Sequence, residues 1–340
     1  TCGPSVSGGV SEAGTSRICG PLVGSSARRL VGSSAQWPER LGQHVFLKCR
    51  PRSDRRRQMA TLPGTHLVNS EHAGPCASFA VPTRRSVNAS LEAAAARRTL
   101  ILGSGGPAPA FDPDTLAGLP APAERMLRRA LPAGTPLGSA VELTMRGRLR
   151  LGPRWLSFRA DQILVAGRGF VWRAIVGQRL VRFSGADVMT PEGASMHFRL
   201  HGLIPVVRSS GPDIARSGAG RLAAETVAWL PQALVPQSGA QWTPIDQHRA
   251  IVTLAHPGGT SNVEVTVDDQ GRLRSAGLDR WNGSTKPPRL EPFGGEFDDE
   301  FVTPDGVRLA DRCRVGWGWN TDGWATGQFF TARLDSALSP

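Results

Sequence analysis

From about residue 139 to near its end, the sequence alternates apolar and polar residues. Val141, Leu143 and Met145 begin this pattern, and Cys313 and Val315 belong to its last part. Because successive side chains of a strand point to opposite faces, a period of two places one face of a sheet on a core and the other in water. The pattern therefore predicts a half-buried antiparallel sheet. No motif in the chain assigns a reaction to it.

The predicted strands follow one another at the spacing of hairpins. Turn signals such as Gly152-Pro153-Arg154 and Asp268-Asp269-Gln270-Gly271 separate them. A parallel sheet would need a crossover helix between most strands, whereas the sequence predicts one long helix among them, from about Pro212 to Trp229. We therefore predict an α+β fold with a strongly curved, mainly antiparallel β-sheet of about 11 strands. Such a sheet would form an open or half barrel, which limits its exposed edges, and the helix would pack against it.

Short N-terminal helices are predicted before the first strand. Asp112 is a suitable N-cap residue, and Pro113 is favourable at the first helical position. A second helix should follow, carry Met126 and Leu127 at helical spacing, and end before Pro132. The ordered part of the chain is therefore expected to begin near residue 111.

Residues 1–110 have a different composition, rich in Ser, Gly, Arg and Pro, with little hydrophobic periodicity. Residues 50–57 form a dense basic run, and only residues 90–100 have a helical pattern. A segment with so few apolar residues cannot offset the entropy lost on ordering. We predict that residues 1–110 are a disordered or non-native basic leader and linker, and that residues 111–336 form a single curved-sheet domain.

The distribution of charge argues against a nucleic-acid partner. The net charge is +12, but residues 1–100 contain 14 Lys+Arg and 5 Asp+Glu, which leaves +3 for residues 101–340. A phosphate-binding surface would need basic clusters on the folded domain itself. The predicted sheet is nearly neutral, so we expect no nucleic acid as a partner.

Neither a cofactor nor a metal site is predicted. The five cysteines match no zinc pattern, and His197, Arg199 and His201, which share one strand face, are most simply its polar side. No apolar run approaches the ~20 residues of a membrane helix. No signal peptide is visible in this chain, so the cytoplasm is the default location. The oligomeric state is not predicted.

The long helix carries the most specific polar pair, Arg221 and Glu225. They are four residues apart and can pair on one helical face. If the helix lies in the mouth of a curved sheet, Glu225 would face an enclosed cavity, where its pKa would rise and proton transfer would become possible. The alternative is a buried ion pair that anchors the helix on the sheet.

The aromatic residues are unusual, with 9 Trp, 12 Phe and no Tyr. Most lie in the predicted strands or the long helix, including Trp172, Trp229 and Trp317. Indole rings supply large apolar surface with one hydrogen-bond donor, which suits either a bulky core or a ligand cavity. A curved sheet can enclose more volume than one helix fills.

Five blocks of sequence resemble a bacterial family of conserved proteins of unknown function, and the resemblance covers about residues 111–335. The blocks are residues 111–120, 168–174, 220–225, 229–231 and the Trp-rich C-terminal hairpin. The expected architecture is similar to the lipoprotein-carrier half-barrels of the LolA and LppX kind, in which a curved antiparallel sheet capped by helices holds acyl chains. Architecture alone does not establish function. Where the family pattern has an acidic residue before the closing Phe-Phe, this chain has Gln328, which argues against a catalytic carboxylate there.

Three hypotheses follow. The first is a non-enzymatic domain that binds a hydrophobic small molecule or lipid-like ligand between the sheet and the helix. The ligand-binding residues predicted for it are Trp172, Arg221, Glu225, Trp229 and Trp317. The second is a hydrolase-like enzyme that uses Glu225 and Arg221 in an enclosed cavity. The third is a structural or protein-interaction module. No catalytic residue is assigned.

Overall fold

A computed structural model describes residues 84–103, 108–179 and 181–340. Most of the predicted leader, residues 1–83 and 104–107, lies outside the described residues. So does Leu180, the first residue of a strand that the alternation predicts over residues 180–186.

Thirteen strands form one sheet in which every neighbouring pair is antiparallel. They are β1 (Ala140–Leu151), β2 (Arg154–Val165), β3 (Gly169–Gln178), β4 (Val181–Thr190), β5 (Gly193–Leu200), β6 (Ile204–Ser210), β7 (Gln241–Pro244), β8 (Arg249–His256), β9 (Gly259–Val267), β10 (Leu273–Asn282), β11 (Arg289–Phe297), β14 (Cys313–Trp317) and β15 (Gln328–Leu338). The strands β12 (Glu300–Val302) and β13 (Arg308–Ala310) form a separate pair. The order in the large sheet is β6-β5-β4-β3-β2-β1-β15-β14-β11-β10-β9-β8-β7, so the sheet is open, with β6 and β7 at its edges.

Four α-helices and three single-turn 3₁₀-helices accompany the strands in the described residues. The α-helices are α1 (Arg84–Leu102), α2 (Ala121–Ala130), α3 (Pro212–Trp229) and α4 (Trp324–Gly327); the 3₁₀-helices are Pro113–Leu116, Pro231–Leu234 and Pro236–Ser238. Asp112 caps the first 3₁₀-helix as expected, because its Oδ1 accepts a hydrogen bond from the backbone N–H of Asp114 at 3.0 Å. The long helix has the bounds that the sequence predicts. No described helix has both the length and the apolar character that a bilayer span requires.

The contacts of α3 show that the sheet is curved. This helix packs against β6 near one edge of the sheet and against β8 near the other. Strands are about 4.8 Å apart in a sheet, so β6 and β8, eleven positions apart, would be separated by about 53 Å on a flat surface. An 18-residue helix is only about 27 Å long. The sheet therefore bends around α3, and the inner face is the one that α3 covers.

The two faces of the sheet carry different side chains. On β3, Phe170, Trp172 and Ala174 are buried on the inner face. Arg173 and Ile175, which alternate with them, are exposed on the outer face. This is the predicted period-two pattern. The main core lies between the inner face, α2, α3 and the segments next to them.

The outer face is covered in one place by α1. Leu100, which is fully buried, packs there with Ile163, Val165 and Val171 of β2 and β3. Residues 90–100, for which the sequence predicts a helix, thus belong to a longer helix that contacts the sheet. The expected domain start at residue 111 stays a prediction, but α1 already packs on the sheet before it.

The strand count is the main difference from the prediction, 13 in the large sheet instead of about 11. The edge strand β6 was missed because Pro205 and the polar residues 208–210 give it no clear alternation. The alternation over residues 290–302 predicts one strand, but the structure divides it at Asp298 and Asp299 into β11 and β12. The alternation over residues 307–319 also predicts one strand, and the structure divides it into β13 and β14.

Candidate functional site

A cavity of about 450 Å³ lies between α3 and the inner face of the sheet. One side of α3 lines it, with residues at the 3–4 spacing of a helical face: Ile214, Ser217, Gly218, Arg221, Ala224, Glu225 and Ala228. The remaining walls come from strands of both halves of the sheet. The curvature of the sheet thus creates a space that the single helix does not fill.

Aromatic side chains form much of the cavity wall. Phe170 and Trp172 on β3, Phe293 on β11 and Trp317 on β14 all line this space. Phe293 and Trp317 are directly opposite each other on neighbouring strands and pack edge to face, with ring centroids 5.1 Å apart. Phe330 of β15 continues the aromatic wall and packs edge to face with Trp172 at 6.4 Å. A large part of the surface offered to a ligand is therefore apolar.

Arg221 is the centre of a polar network beside the aromatic wall. Its Nη1 donates to Asp187 Oδ2 on β4 at 2.6 Å, and its Nε donates to Glu225 Oε1 at 2.6 Å. The other carboxylate oxygen of Glu225 accepts a hydrogen bond from Gln162 Nε2 on β2, also at 2.6 Å. The guanidinium lies over the ring of Phe170, 4.3 Å from its centroid. The network connects α3 to two strands of the sheet.

Burial determines the electrostatics of this network. It raises the pKa of Asp187; the charges of Arg221 and Arg280 oppose this effect, and the nearby charge of Glu225 adds to it. Burial alone would lower the pKa of Arg221, but Glu225 and Asp187 together raise it above its usual value. Two carboxylates thus share one cation, and Asp187 is the one that burial makes harder to ionise.

Arg280 is another partly buried cation of the cavity. Its Nε donates to the backbone oxygen of Ser217 on α3 at 2.9 Å, and its guanidinium lies over the rings of Phe293 and Trp317, at 4.5 and 5.4 Å from their centroids. Burial, together with the positive charge of Arg221, lowers the pKa of Arg280 to about 10. Arg280 therefore remains charged at neutral pH.

Gly220 gives Arg280 its place beside the helix. A Cβ at residue 220 would lie 2.9 Å from Cγ of Arg280 and 3.4 Å from a methyl group of Leu278. Any larger residue would push the Arg280 side chain away from α3. The glycine next to Arg221 is therefore explained by close packing.

Cys313 also lines the cavity, but it has little reactivity there. Burial raises the pKa of its thiol to about 12, so it is almost entirely protonated at neutral pH. In the part of the chain that the structure describes, no three His, Cys, Asp or Glu side chains come together as metal ligands.

Comparison with known proteins gives a family. Residues 109–329 match the family of unknown function DUF6544. The chain belongs to this family. Among curated proteins, none matches the sequence.

Some solved structures share part of the architecture. A LolA superfamily protein from Nitrosomonas europaea is similar at 11% sequence identity and a TM-score of 0.35, over 66% of this chain and 94% of that one. A DUF1329 family protein from Desulfovibrio piger is similar at 11% identity and a TM-score of 0.33, over 64% of this chain and 90% of that one. Likeness at this level carries no argument about what the protein binds.

All five predicted ligand-binding residues line the cavity: Trp172, Arg221, Glu225, Trp229 and Trp317. Their surroundings differ. Trp229 is buried, and its Nε1 donates to the backbone oxygen of Ala310 at 3.1 Å, so it also fixes the C-terminal end of α3. Arg221 and Glu225 are engaged with each other and with the sheet. Whether any of the five contacts a ligand stays a prediction.

Three important polar residues were missed: Gln162, Asp187 and Arg280. Each lies at a strand position whose side chain points to the inner face, where the alternation predicts an apolar residue. Gln162, for example, lies between the inward-facing Ala160 and Leu164 on β2. A polar residue in the inward phase of a strand was the available signal.

Proposed function

We propose that this domain binds a hydrophobic, lipid-like ligand in the cavity between α3 and the sheet. The observation that carries the proposal is the cavity itself, about 450 Å³ and lined largely by aromatic and aliphatic side chains. Its volume lies within the roughly 300–1,000 Å³ of typical small-molecule sites. A purely structural module would be better served by a fully packed interface between helix and sheet.

The polar groups of the cavity fit an orienting role better than a catalytic one. Both carboxylate oxygens of Glu225 already accept hydrogen bonds, from Arg221 and from Gln162. These two bonds hold the carboxylate on Arg221 and Gln162, the arrangement expected of an anchoring pair, although each oxygen could accept one more hydrogen bond. The network therefore supports the anchoring alternative of the Arg221–Glu225 pair, and ligand binding is preferred to hydrolysis.

A cavity-filling variant tests the proposal. Nile red, a neutral apolar dye, is titrated into the full-length protein, and native mass spectrometry of the purified protein is used to look for co-purified lipid. Ala224 lines the cavity from α3, so Ala224→Phe should fill part of it and weaken dye binding at least tenfold. The matched control is Ala215→Phe on the same helix, because Ala215 does not line the cavity.

Wild-type protein that neither binds the dye nor retains lipid would contradict the proposal. So would an Ala224→Phe variant that keeps its thermal stability and binds Nile red as the wild type does. A loss in Ala224→Phe that Ala215→Phe reproduces would place the dye elsewhere on the protein.

A further inference from the structure

Two cations of the cavity wall, Arg150 and Arg280, have no counter-ion within 4.0 Å among the described residues, and Arg280 is the one that lies over aromatic rings. In the described part of the chain, no carboxylate lies within 4.0 Å of the Arg280 guanidinium, and its only hydrogen bond is from Nε to Ser217. Its Nη1 and Nη2 groups therefore have no partner among these residues. Arg221, by contrast, is paired with two carboxylates.

The acidic side chains of the cavity act on Arg280 only through space: the charges of Asp187 and Glu225 partly offset its burial, but neither contacts its guanidinium. The acidic side chains are Asp187, Asp213 and Glu225. The first and last are bound to Arg221, and Asp213 Oδ1 accepts a hydrogen bond from Trp281 Nε1 at 3.0 Å. A partly buried cation without a counter-ion in contact is costly, and an anion brought by a ligand would reduce that cost.

The surroundings of Arg280 hold its guanidinium in position. The rings of Phe293 and Trp317 lie against it, Ser217 fixes Nε, and Gly220 leaves room for its aliphatic part. A planar guanidinium with two free donor groups suits a carboxylate or a phosphate, since both can accept two parallel hydrogen bonds. The aromatic wall begins directly beside it.

We infer that the ligand is an amphiphile with an acidic head, an inference that rests on the function proposed above. The head binds Nη1 and Nη2 of Arg280, and the apolar chain lies along the aromatic wall. The head is a carboxylate or a phosphate monoester. At about 450 Å³, the cavity is in the lower half of the usual range for ligand sites, which favours a single apolar chain.

Three ligands with the same apolar chain test this inference: dodecanoate, dodecyl phosphate and dodecanol. Each is titrated against full-length protein carrying Nile red, below its micelle concentration and at neutral pH. We expect at least one acid to displace the dye at a concentration tenfold or more below that of the alcohol. Tighter binding of dodecanoate would assign a fatty-acid head, and tighter binding of dodecyl phosphate a phosphate monoester.

Arg280→Met should remove the preference for the acids and leave dodecanol within about threefold of its wild-type affinity. The matched control is Arg216→Met, because Arg216 is an exposed cation that lies over Trp281 and does not line the cavity. Arg280→Lys, which keeps the charge but offers no planar pair of donors, should lose part of the preference.

Equal binding of both acids and the alcohol to the wild type would overturn the inference but leave the proposed function standing. So would an Arg280→Met variant that loses all three ligands equally. Failure of the wild type to bind Nile red at all would remove the proposed function and this inference with it. If Arg280→Met does not fold, the comparison of acids with alcohol in the wild type decides alone.

Discussion

Nη1 of Arg221 lies 2.6 Å from Oδ2 of Asp187, and this ion pair joins the cavity face of α3 to β4. Both side chains are largely removed from solvent, with 17% and 11% of their surface exposed. The same guanidinium holds Glu225, so the position of the helix over the sheet depends on one cation between two carboxylates.

Removing that cation should destabilise the fold strongly. Arg221→Met removes the cation that both Asp187 and Glu225 contact and leaves them only the more distant charge of Arg280, which should lower the free energy of unfolding by about 3–5 kcal/mol. Urea denaturation at neutral pH measures the change. Arg216→Met on the exposed side of α3 is the control and should cost under about 0.5 kcal/mol. A loss below about 1 kcal/mol for Arg221→Met would contradict this account of the network.

Asp187 should give stability a characteristic pH dependence. Because its pKa is raised in the folded protein, the folded state holds this proton more tightly than the unfolded state. The contribution is fully present below the unfolded value of about 3.9 and is lost as pH rises through the raised folded pKa. In Asp187→Asn this dependence is absent.

The measurement is the free energy of unfolding of both proteins over a pH series. The stability of the wild type relative to Asp187→Asn should fall as the pH increases from about 4. A relative stability that rises over the same interval would mean that the charge of Arg221 outweighs burial at this carboxyl.

Gly220→Ala should displace the Arg280 side chain but change the free energy of unfolding only slightly. Alanine favours the helix by up to about 1 kcal/mol, but its Cβ would lie 2.9 Å from Cγ of Arg280 and force that side chain to move. We expect a net stability change within about 1 kcal/mol and a weakened preference for dodecanoate or dodecyl phosphate over dodecanol. Gly218→Ala is the matched control, since its Cβ would meet Met189 Sδ at 3.0 Å instead. An unchanged preference in Gly220→Ala would disagree with the packing described here.

Helix α1, which packs on the outer face of the sheet, should contribute to the free energy of unfolding without affecting ligand binding. Leu100→Ala removes a fully buried side chain from the contact between α1 and the sheet, which should cost about 2–5 kcal/mol. Nile red affinity should stay within twofold, because α1 and the cavity lie on opposite faces. Leu91→Ala, at a position 59% exposed on the same helix, is the control and should be nearly neutral. A Leu100→Ala variant as stable as the wild type would mean that α1 is not held on the sheet in solution.

Much of the fold could be predicted from local patterns. The bounds of α3 follow from Pro212 at its start and Pro231 after its end, and the β1–β2 hairpin follows from Gly152 and the alternation on either side. The edge strand β6 could not, because an edge strand needs neither two apolar faces nor a complete set of backbone donors. Helix α1 was predicted only in part, since its stability depends on contacts with β2 and β3 that no local pattern reveals.

The site was less predictable than the fold. Trp172, Glu225 and Trp317 were expected near a cavity because bulky inward residues and a helical polar pair are visible in the sequence. The pairing of Arg221 with Asp187 and the isolation of Arg280 depend on the curvature of the sheet, which brings α3 against strands far apart in sheet order. Curvature on this scale results from the whole set of strand pairings and has no signature in a single segment.

The position of β15 has a consequence for how the molecule is made. Six strands lie on each side of it in the sheet, and it pairs with β1, so that Glu142 is opposite Leu338. During synthesis β1 leaves the ribosome long before its partner, and until β15 emerges the two groups of six strands have no backbone hydrogen bonds between them. Completion of the sheet therefore waits for translation of its last strand. Pairing across so long a stretch of chain is slow compared with the closing of the hairpins on either side.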